Sequence, residues 1–249
     1  MELAGRVALV TGGSGDLGMA ICLALARRQV DVAVAYVEQR ERADRVVAGV
    51  QGLGGRAMAI QLDQSDVTSA DPVVAAVVEH FGRLDLLVNN AAWNIGIPFT
   101  DLEALDADIW DRMYATNLRG PYLLARAAAR TMRTHGEGRI VNIASIGGLY
   151  PASSSIAYSA TKAGLIHLTR CLAVALAPGI LVNCVAPGLI EGTRIAGRLP
   201  EAVRESALQR AVLRRGTSAE DVADQVVAFC ATESTTGQVL AVDAGFVFH

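Results

Sequence analysis

A surplus of either charge is what the sequence most obviously lacks: 22 Lys and Arg face 25 Asp and Glu over 249 residues, a net charge of −3. Such a balance gives no electrostatic footprint for nucleic acid or for an anionic membrane, so a small molecule is the expected partner. No apolar run approaches the roughly 20 residues that span a bilayer. The first strand pattern begins at Val7, leaving no room for a cleaved leader, and a soluble, cytoplasmic protein is expected. Cysteine is sparse. Cys22, Cys171, Cys184 and Cys230 are widely separated in apolar settings, without the CxxC spacing of metal or redox sites, and read as four reduced core residues. His80, His135, His167 and His249 show neither metal spacing nor a nucleophile to serve, so no metal and no histidine catalysis is expected. Linkers, repeats and low-complexity tracts are missing too, and the length suits one large α/β domain over residues 1–249.

What is present is an alternation. Apolar runs at 7–10, 32–36, 57–62, 84–88, 140–144, 180–185 and 239–242 read as seven strands. Amphipathic segments at 17–28, 39–51, 69–81, 107–134, 157–177 and 219–231 lie among them. Together they predict a doubly wound α/β fold, a parallel sheet covered on both faces. Pro72 suits the first turn of the third helix, and Pro178-Gly179 marks the end of the one that starts near Tyr158.

Three reactive side chains fall in the stretch Ser145–Lys162. Tyr158 and Lys162, four residues apart, share a helix face one turn apart, and Ser145 stands where the strand 140–144 passes into its loop. A phenol with a pKa near 10 needs help to exchange its proton at neutral pH, and an adjacent ammonium supplies it. The trio predicts a proton donor beside a carbonyl, with Ser145 hydrogen-bonding the carbonyl oxygen. An amphipathic surface pair is the plain alternative for Tyr158 and Lys162 taken alone.

The reductant is found at Thr11-Gly12-Gly13-Ser14-Gly15-Asp16-Leu17-Gly18, between the first strand and first helix. Residues 13–18 satisfy G-x-G-x-x-G, and this context places a dinucleotide's pyrophosphate over backbone N–H groups and a helix N-terminus. At the end of the second strand Tyr36 stands where a carboxylate would hold the ribose of NAD, which favours NADP. Arg40 or Arg42 either pairs with the extra phosphate or is a solvated charge of the next helix. Asp63 either accepts from an adenine amino group or caps a helix. Asn90 and Ala91 let the backbone approach a cofactor ribose, and the apolar loop from Trp93 to Phe99 forms one wall of a substrate pocket. Leu149, Tyr150 and Ser153 are expected to face substrate through their closeness to Ser145. Asn117, a poor residue inside a helix, either satisfies a structural hydrogen bond or holds a water. The irregular segment 189–215 carries six arginines, Arg194, Arg198, Arg204, Arg210, Arg214 and Arg215, and reads as a mobile lid. They either receive an anionic or phosphopantetheine-bearing substrate or form a solvated face.

From TGGSGDLG through NNAA, Asn117, Ser145 and YSATK to Pro187-Gly188 and Thr236-Gly237-Gln238-Val239, the chain resembles the classical short-chain dehydrogenase/reductase family. It is most similar in look to the bacterial 3-oxoacyl-carrier-protein reductase type, through LRRG at 213–216, EDVA at 220–223 and Val242-Asp243. The resemblance implies a Rossmann sheet of order 3-2-1-4-5-6-7, a homotetramer, and a catalytic tetrad of Asn117, Ser145, Tyr158 and Lys162. It further implies that Lys162 holds the nicotinamide ribose, that Asn117 anchors a proton-relay water, and that Pro187, Gly188, Ile190 and Thr193 line the nicotinamide end. Asp16 and Ala92 replace two glycines of the family pattern, and Gly15 replaces a base common in NADP-dependent relatives. The expected activity is hydride transfer between NAD(P)(H) and a ketone, a 3-oxoacyl group or a secondary alcohol. A catalytically idle, dinucleotide-binding regulatory or scaffold protein of the same fold is the competing reading.

Overall fold

The computed structural model describes residues 1–151 and 153–248. Ala152, between Tyr150 and Ser153 of the stretch expected to face substrate, and His249 lie outside the described residues. The strands are β1 (Val7–Val10), β2 (Asp31–Tyr36), β3 (Ala57–Gln61), β4 (Leu86–Asn89), β5 (Gly138–Ile143), β6 (Ile180–Pro187) and β7 (Val239–Val242). The helices are α1 (Asp16–Ala26), α2 (Arg40–Gly52), α3 (Ala70–Phe81), α4 (Ala107–Tyr114), α5 (Gly120–Thr134), α6 (Ile156–Leu176), α7 (Glu201–Arg210) and α8 (Ala219–Ala231). All strands pair in parallel in the order β3-β2-β1-β4-β5-β6-β7.

The two-residue period of β1 divides the core. Ala8 and Val10 join Ile21, Leu25, Val46 and Val226 on the side of α1, α2 and α8. Val7 and Leu9 join Val74, Val77, Leu124 and Met132 on the side of α3, α5 and α6. Each such Val or Leu, taken from water to full burial, contributes about 1.5–3 kcal/mol. Chain order reverses between β1 and β4, so a crevice opens beyond their C-terminal ends, and residues 11–18 and 90–99 border it.

Three sequence expectations are corrected. The helix expected over 107–134 is broken by a π-helical turn at Ala115–Arg119. Pro121 has no N–H for the carbonyl one turn back, and the Gly120 N–H reaches five residues back to Ala115. The Thr116 carbonyl freed by this shift is taken by Gln64 Nε2 at 2.7 Å. The strand expected over 180–185 continues to Pro187, because Ala186 and Pro187 still pair with Ala241 and Val242. Finally, Cys171 is exposed, whereas Cys22, Cys184 and Cys230 are buried. Its helix, α6, is apolar nearly all round, so hydrophobic neighbours in sequence did not reveal its outward face.

Candidate active site

The Ser145–Lys162 stretch is positioned from below by a capped helix. Ser155 Oγ accepts from the Tyr158 N–H at 3.2 Å, starting α6 so that Tyr158 falls in its first turn and Lys162 in the next. Lys162 is only 2% exposed, and its Nζ donates to the Ile143 carbonyl at 2.7 Å, 5.6 Å from the centre of the Tyr158 ring. Ser145 Oγ accepts from the Gly147 N–H at 3.1 Å. The loop between them must lie flat on α6: a Cβ at Gly148 would stand 2.7 Å from the Lys162 carbonyl carbon. Ser145, Tyr158 and Lys162 are therefore brought together as the sequence predicts.

Their electrostatics differ from the simple phenol–ammonium picture. Although Tyr158 keeps part of its surface exposed, burial pushes its phenol up to about 12, with the Ser145 side chain pulling the other way. Burial brings the Lys162 ammonium down to about 8, partly offset by the adjacent Cys184. Among the protein's own groups desolvation thus outweighs attraction, and Tyr158 rests as the neutral acid while Lys162 keeps its proton at neutral pH.

Asn117 is fully buried, and its amide performs the structural role. Its Oδ1 accepts from the Trp93 N–H at 2.8 Å and its Nδ2 donates to the Trp93 carbonyl at 2.9 Å, which pins the loop after β4. That leaves the backbone carbonyl of Asn117, which Pro121 deprives of its α-helical donor, as the group able to hold a water. Trp93 lies under Arg112, whose Cζ is 4.3 Å from the indole. The Ile97 N–H donates to the Ser154 carbonyl at 2.8 Å, tying the 93–99 loop to the stretch after Ser145. Tyr150, from that stretch, is 42% exposed.

At the glycine loop, Gly12 has φ +62°, and a Cβ there would meet Ala91 Cα at 2.9 Å; at Gly18 it would meet the Gly12 carbonyl oxygen at 2.2 Å. Buried Thr11 Oγ1 accepts from the N–H groups of Asn90 and Ala91, at 3.0 and 2.9 Å. Asn90 Nδ2 donates to the Thr11 and Gly12 carbonyls, so its amide joins the two edges of the crevice. Gly15 caps α1 without a side-chain hydrogen bond, and Ser14, Gly15, Asp16 and Leu17 are half-buried around the free helix end. This bare N-terminus in a cradle too narrow for Cβ atoms fits a dinucleotide diphosphate.

Asp16 does what no motif suggested. Its carboxylate accepts from Arg42 at 2.8 Å, from the Arg194 N–H at 2.8 Å and from the Arg194 side chain at 3.3 Å. Burial works against its charge, but the Arg194 amide and the Arg42 guanidinium hold the carboxyl below its ordinary range. The segment after β6 is thereby tied across the mouth of the glycine loop. Tyr36 is buried at the end of β2, while Arg40 pairs with Asp44 at 2.9 Å and lies 6.0 Å from the Tyr36 ring. Asp63 does not cap a helix: it accepts from the Ser65 N–H and hydroxyl, at 2.9 and 2.6 Å, and Ser69 stands at the start of α3. Pro187 ends β6, and the following Gly188 packs where a Cβ would meet Asp243 at 2.8 Å. Ile190 bridges to Thr217. Thr193 Oγ1 donates to the Ile190 carbonyl at 2.8 Å and accepts from Ala196, organising its own turn.

The residues that sequence reasoning passed over are Ser155, Gln64 and the Asp16 pairings. Ser155 was legible as a serine three residues before Tyr158. The others depend on contacts between segments remote in sequence.

Comparison with known proteins agrees with this architecture. The family described as short chain dehydrogenase matches residues 6–204. The chain is 36% identical to a 3-oxoacyl-(acyl-carrier-protein) reductase of Thermotoga maritima, over 99% of this chain and 100% of that one. Among solved structures, a short chain dehydrogenase from Burkholderia cenocepacia in complex with NADP superposes with a TM-score of 0.91 at 38% identity, covering 99% of both chains. An NAD+-bound xylitol dehydrogenase superposes with a TM-score of 0.92 at 27% identity, over 98% of this chain and 100% of that one. The glycine cradle at the reversal of strand order, the buried Tyr158–Lys162 face and these likenesses lead to one conclusion: the chain belongs to the short-chain dehydrogenase family and is a nicotinamide-dependent oxidoreductase acting on C=O and CH–OH groups.

Proposed function

We propose that the protein is an NADP-dependent reductase of ketones, 3-oxoacyl thioesters included, with Asn117, Ser145, Tyr158 and Lys162 as its catalytic tetrad. The observation that carries this reading is the Tyr158 ring lying 5.6 Å from the Nζ of a buried Lys162. When bound, the nicotinamide supplies the hydride for the carbonyl carbon. Tyr158, neutral at rest, gives its proton to the carbonyl oxygen as negative charge develops there. Ser145 already accepts from Gly147, so its own O–H is free to point at that oxygen, a contribution worth about 3 kcal/mol in other enzymes. Lys162 lies along the ring, near enough to favour the transient phenolate and to hold a ribose hydroxyl. The Asn117 carbonyl would seat the water through which Lys162 regains a proton from solvent. No observation favours the idle regulatory or scaffold reading.

The diphosphate falls to Gly12, Ser14, Gly15, Asp16, Leu17 and Gly18, the adenosine to Tyr36, Arg40 and Asp63, and the nicotinamide end to Asn90, Ala91, Pro187, Gly188, Ile190 and Thr193. The lack of a carboxylate at Tyr36 and the nearness of Arg40 and Arg42 support NADP over NAD. Ser145, Trp93, Tyr150 and Tyr158 line the substrate side, with 189–215 as a lid on a single domain. We also infer a cytoplasmic homotetramer. Supporting this, no described helix is long and apolar enough to cross a membrane, and the cysteines are free. A depression of about 320 Å³ lined by Tyr114, Leu118, Tyr122, His167, Leu168 and Cys171, with Val174 83% exposed on α6, offers a face for a second copy.

The test is to mix the protein with NADPH and a panel of ketones and 3-oxoacyl thioesters while following the near-ultraviolet absorbance of the reduced cofactor. Oxidation of NADPH that depends on a ketone is expected; binding without turnover across the panel favours the idle alternative. Fluorescence titration should show tighter binding of NADPH than of NADH, and light scattering should report a tetramer.

A further inference from the structure

Of the arginines in 189–215, Arg194 pairs with Asp16 and Arg204 with Glu201, and Arg214 donates to the Gln209 carbonyl. Arg210 is placed differently. It ends α7 and is exposed, and among the described residues it shares with Arg198 and Arg215 the lack of a carboxylate within salt-bridge reach, but of these three only Arg210 stands over aromatic rings. Its guanidinium carbon lies 4.4 Å from the centre of the Phe246 ring and 5.3 Å from that of Tyr150, and these two rings meet edge to face at 6.4 Å. Three remote parts of the chain thus converge on one cation: the loop after Ser145, the end of α7 and the C-terminal turn.

This convergence is built into the backbone. The Asp243 carboxylate accepts from the Gly245 and Val247 N–H groups, at 3.0 and 2.8 Å, folding a turn in which Ala244 and Gly245 both have positive φ, 58° and 78°. Val212 and Leu213 donate to the carbonyls of Gly245 and Ala244, which stitches the end of α7 to that turn. Phe246 is therefore held against the last residue of α7. A planar guanidinium resting in the corner of two aromatic rings keeps N–H groups on its open side for a ligand, and that fork matches a carboxylate.

The placement sets the reach. Tyr150 follows Ser145 by five residues, across a 3₁₀ turn at Ile146–Gly148. At about 2 Å of rise per residue, the two lie on the order of 10 Å apart. We propose that Arg210, held against Tyr150 and Phe246, is the seat for a carboxylate on the substrate, so that the preferred ketone carries an acidic tail extending to the rim of the cleft. This rests on the reductase reading given above and names the substrate class of the same site.

Initial rates with NADPH on 8-oxononanoic acid and on its methyl ester, for the wild type, Arg210→Ala and Arg210→Lys, test it. The wild type should prefer the acid about tenfold in kcat/KM through KM, Arg210→Ala should bring the acid-to-ester ratio to about one, and Arg210→Lys should fall between. A wild-type ratio of one, or a preference that survives Arg210→Ala, overturns the proposal. Calorimetric titration with octanoate and with octanamide, neither of which can be reduced, separates the seat from the chemistry. Octanoate held more tightly than octanamide by the wild type but not by Arg210→Ala supports the seat even if neither ketone turns over, an outcome that would instead count against the reductase reading. Equal binding of the two by the wild type overturns the seat whatever the rates.

Discussion

The Ser145–Lys162 stretch and the 189–215 segment face the same crevice and are built on opposite principles. In the first, Lys162 is buried, Gly148 lies directly on α6, and Ser155 fixes the turn that carries Tyr158. In the second, α7 has no buried residue, Val203 and Val212 are more than half exposed, and the segment is held by ion pairs, aromatic contacts and a few backbone bonds. Reaction geometry tolerates little displacement, and the fold places its donors on packed elements. On the proposed reading of 189–215 as a lid, substrate and cofactor enter and leave past the weakly packed part of the molecule.

Substitutions on the two sides should therefore behave differently. Lys162→Met should lower kcat by about 10³-fold, a loss read from steady-state rates, and a loss below tenfold would mean the buried cation is merely structural. The same variant exposes a linkage effect. Lys162 binds its proton more weakly folded, at about 8, than at its ordinary 10.5, so its contribution to stability is reduced at low pH and recovers as pH rises from 8 to about 10. Wild-type stability minus that of Lys162→Met should accordingly rise by up to about 3 kcal/mol over that window in urea titrations. The subtraction matters, because burial raises the thiols of Cys22, Cys184 and Cys230, and their ionisation in the unfolded chain destabilises the fold above about pH 9. Ser155→Ala should cost about 1 kcal/mol, the value of a lost helix cap, with a fall in kcat as the first turn loosens. Arg194→Ala should be smallest in stability, within about 0.5 kcal/mol, since its pair with Asp16 is half exposed. Stopped-flow should find it in faster cofactor release instead; an unchanged release rate would remove the tie across the groove from the account.

The same contrast explains what the sequence discloses. The alternation of strands and helices, the glycine loop and the Tyr158–Lys162 spacing follow from local periodicity and short motifs, the strand order from the family resemblance, and the structure reproduces the resulting architecture. The pairing of Asp16 with Arg42 and Arg194 joins residues 26 and 178 positions apart, and no period announces it. The break in the 107–134 helix was written in Pro121, whose missing N–H forces the π turn, but amphipathic patterning runs through the break unchanged. Asp63, at the end of a strand, and Asn117, inside a helix, each carried two readings because a polar side chain has several possible partners. Only the contacts with Ser65 and Trp93 show which ones these residues take.

The central claim is that the Tyr158 hydroxyl delivers the proton while hydride reaches the carbonyl carbon. Tyr158→Phe removes that one oxygen and leaves the ring that packs beside Lys162. Parallel measurement of NADPH oxidation with a reducible ketone and of NADPH affinity by fluorescence should show turnover lost by about 10³-fold or more with binding close to that of the wild type. Turnover preserved in Tyr158→Phe would contradict the account.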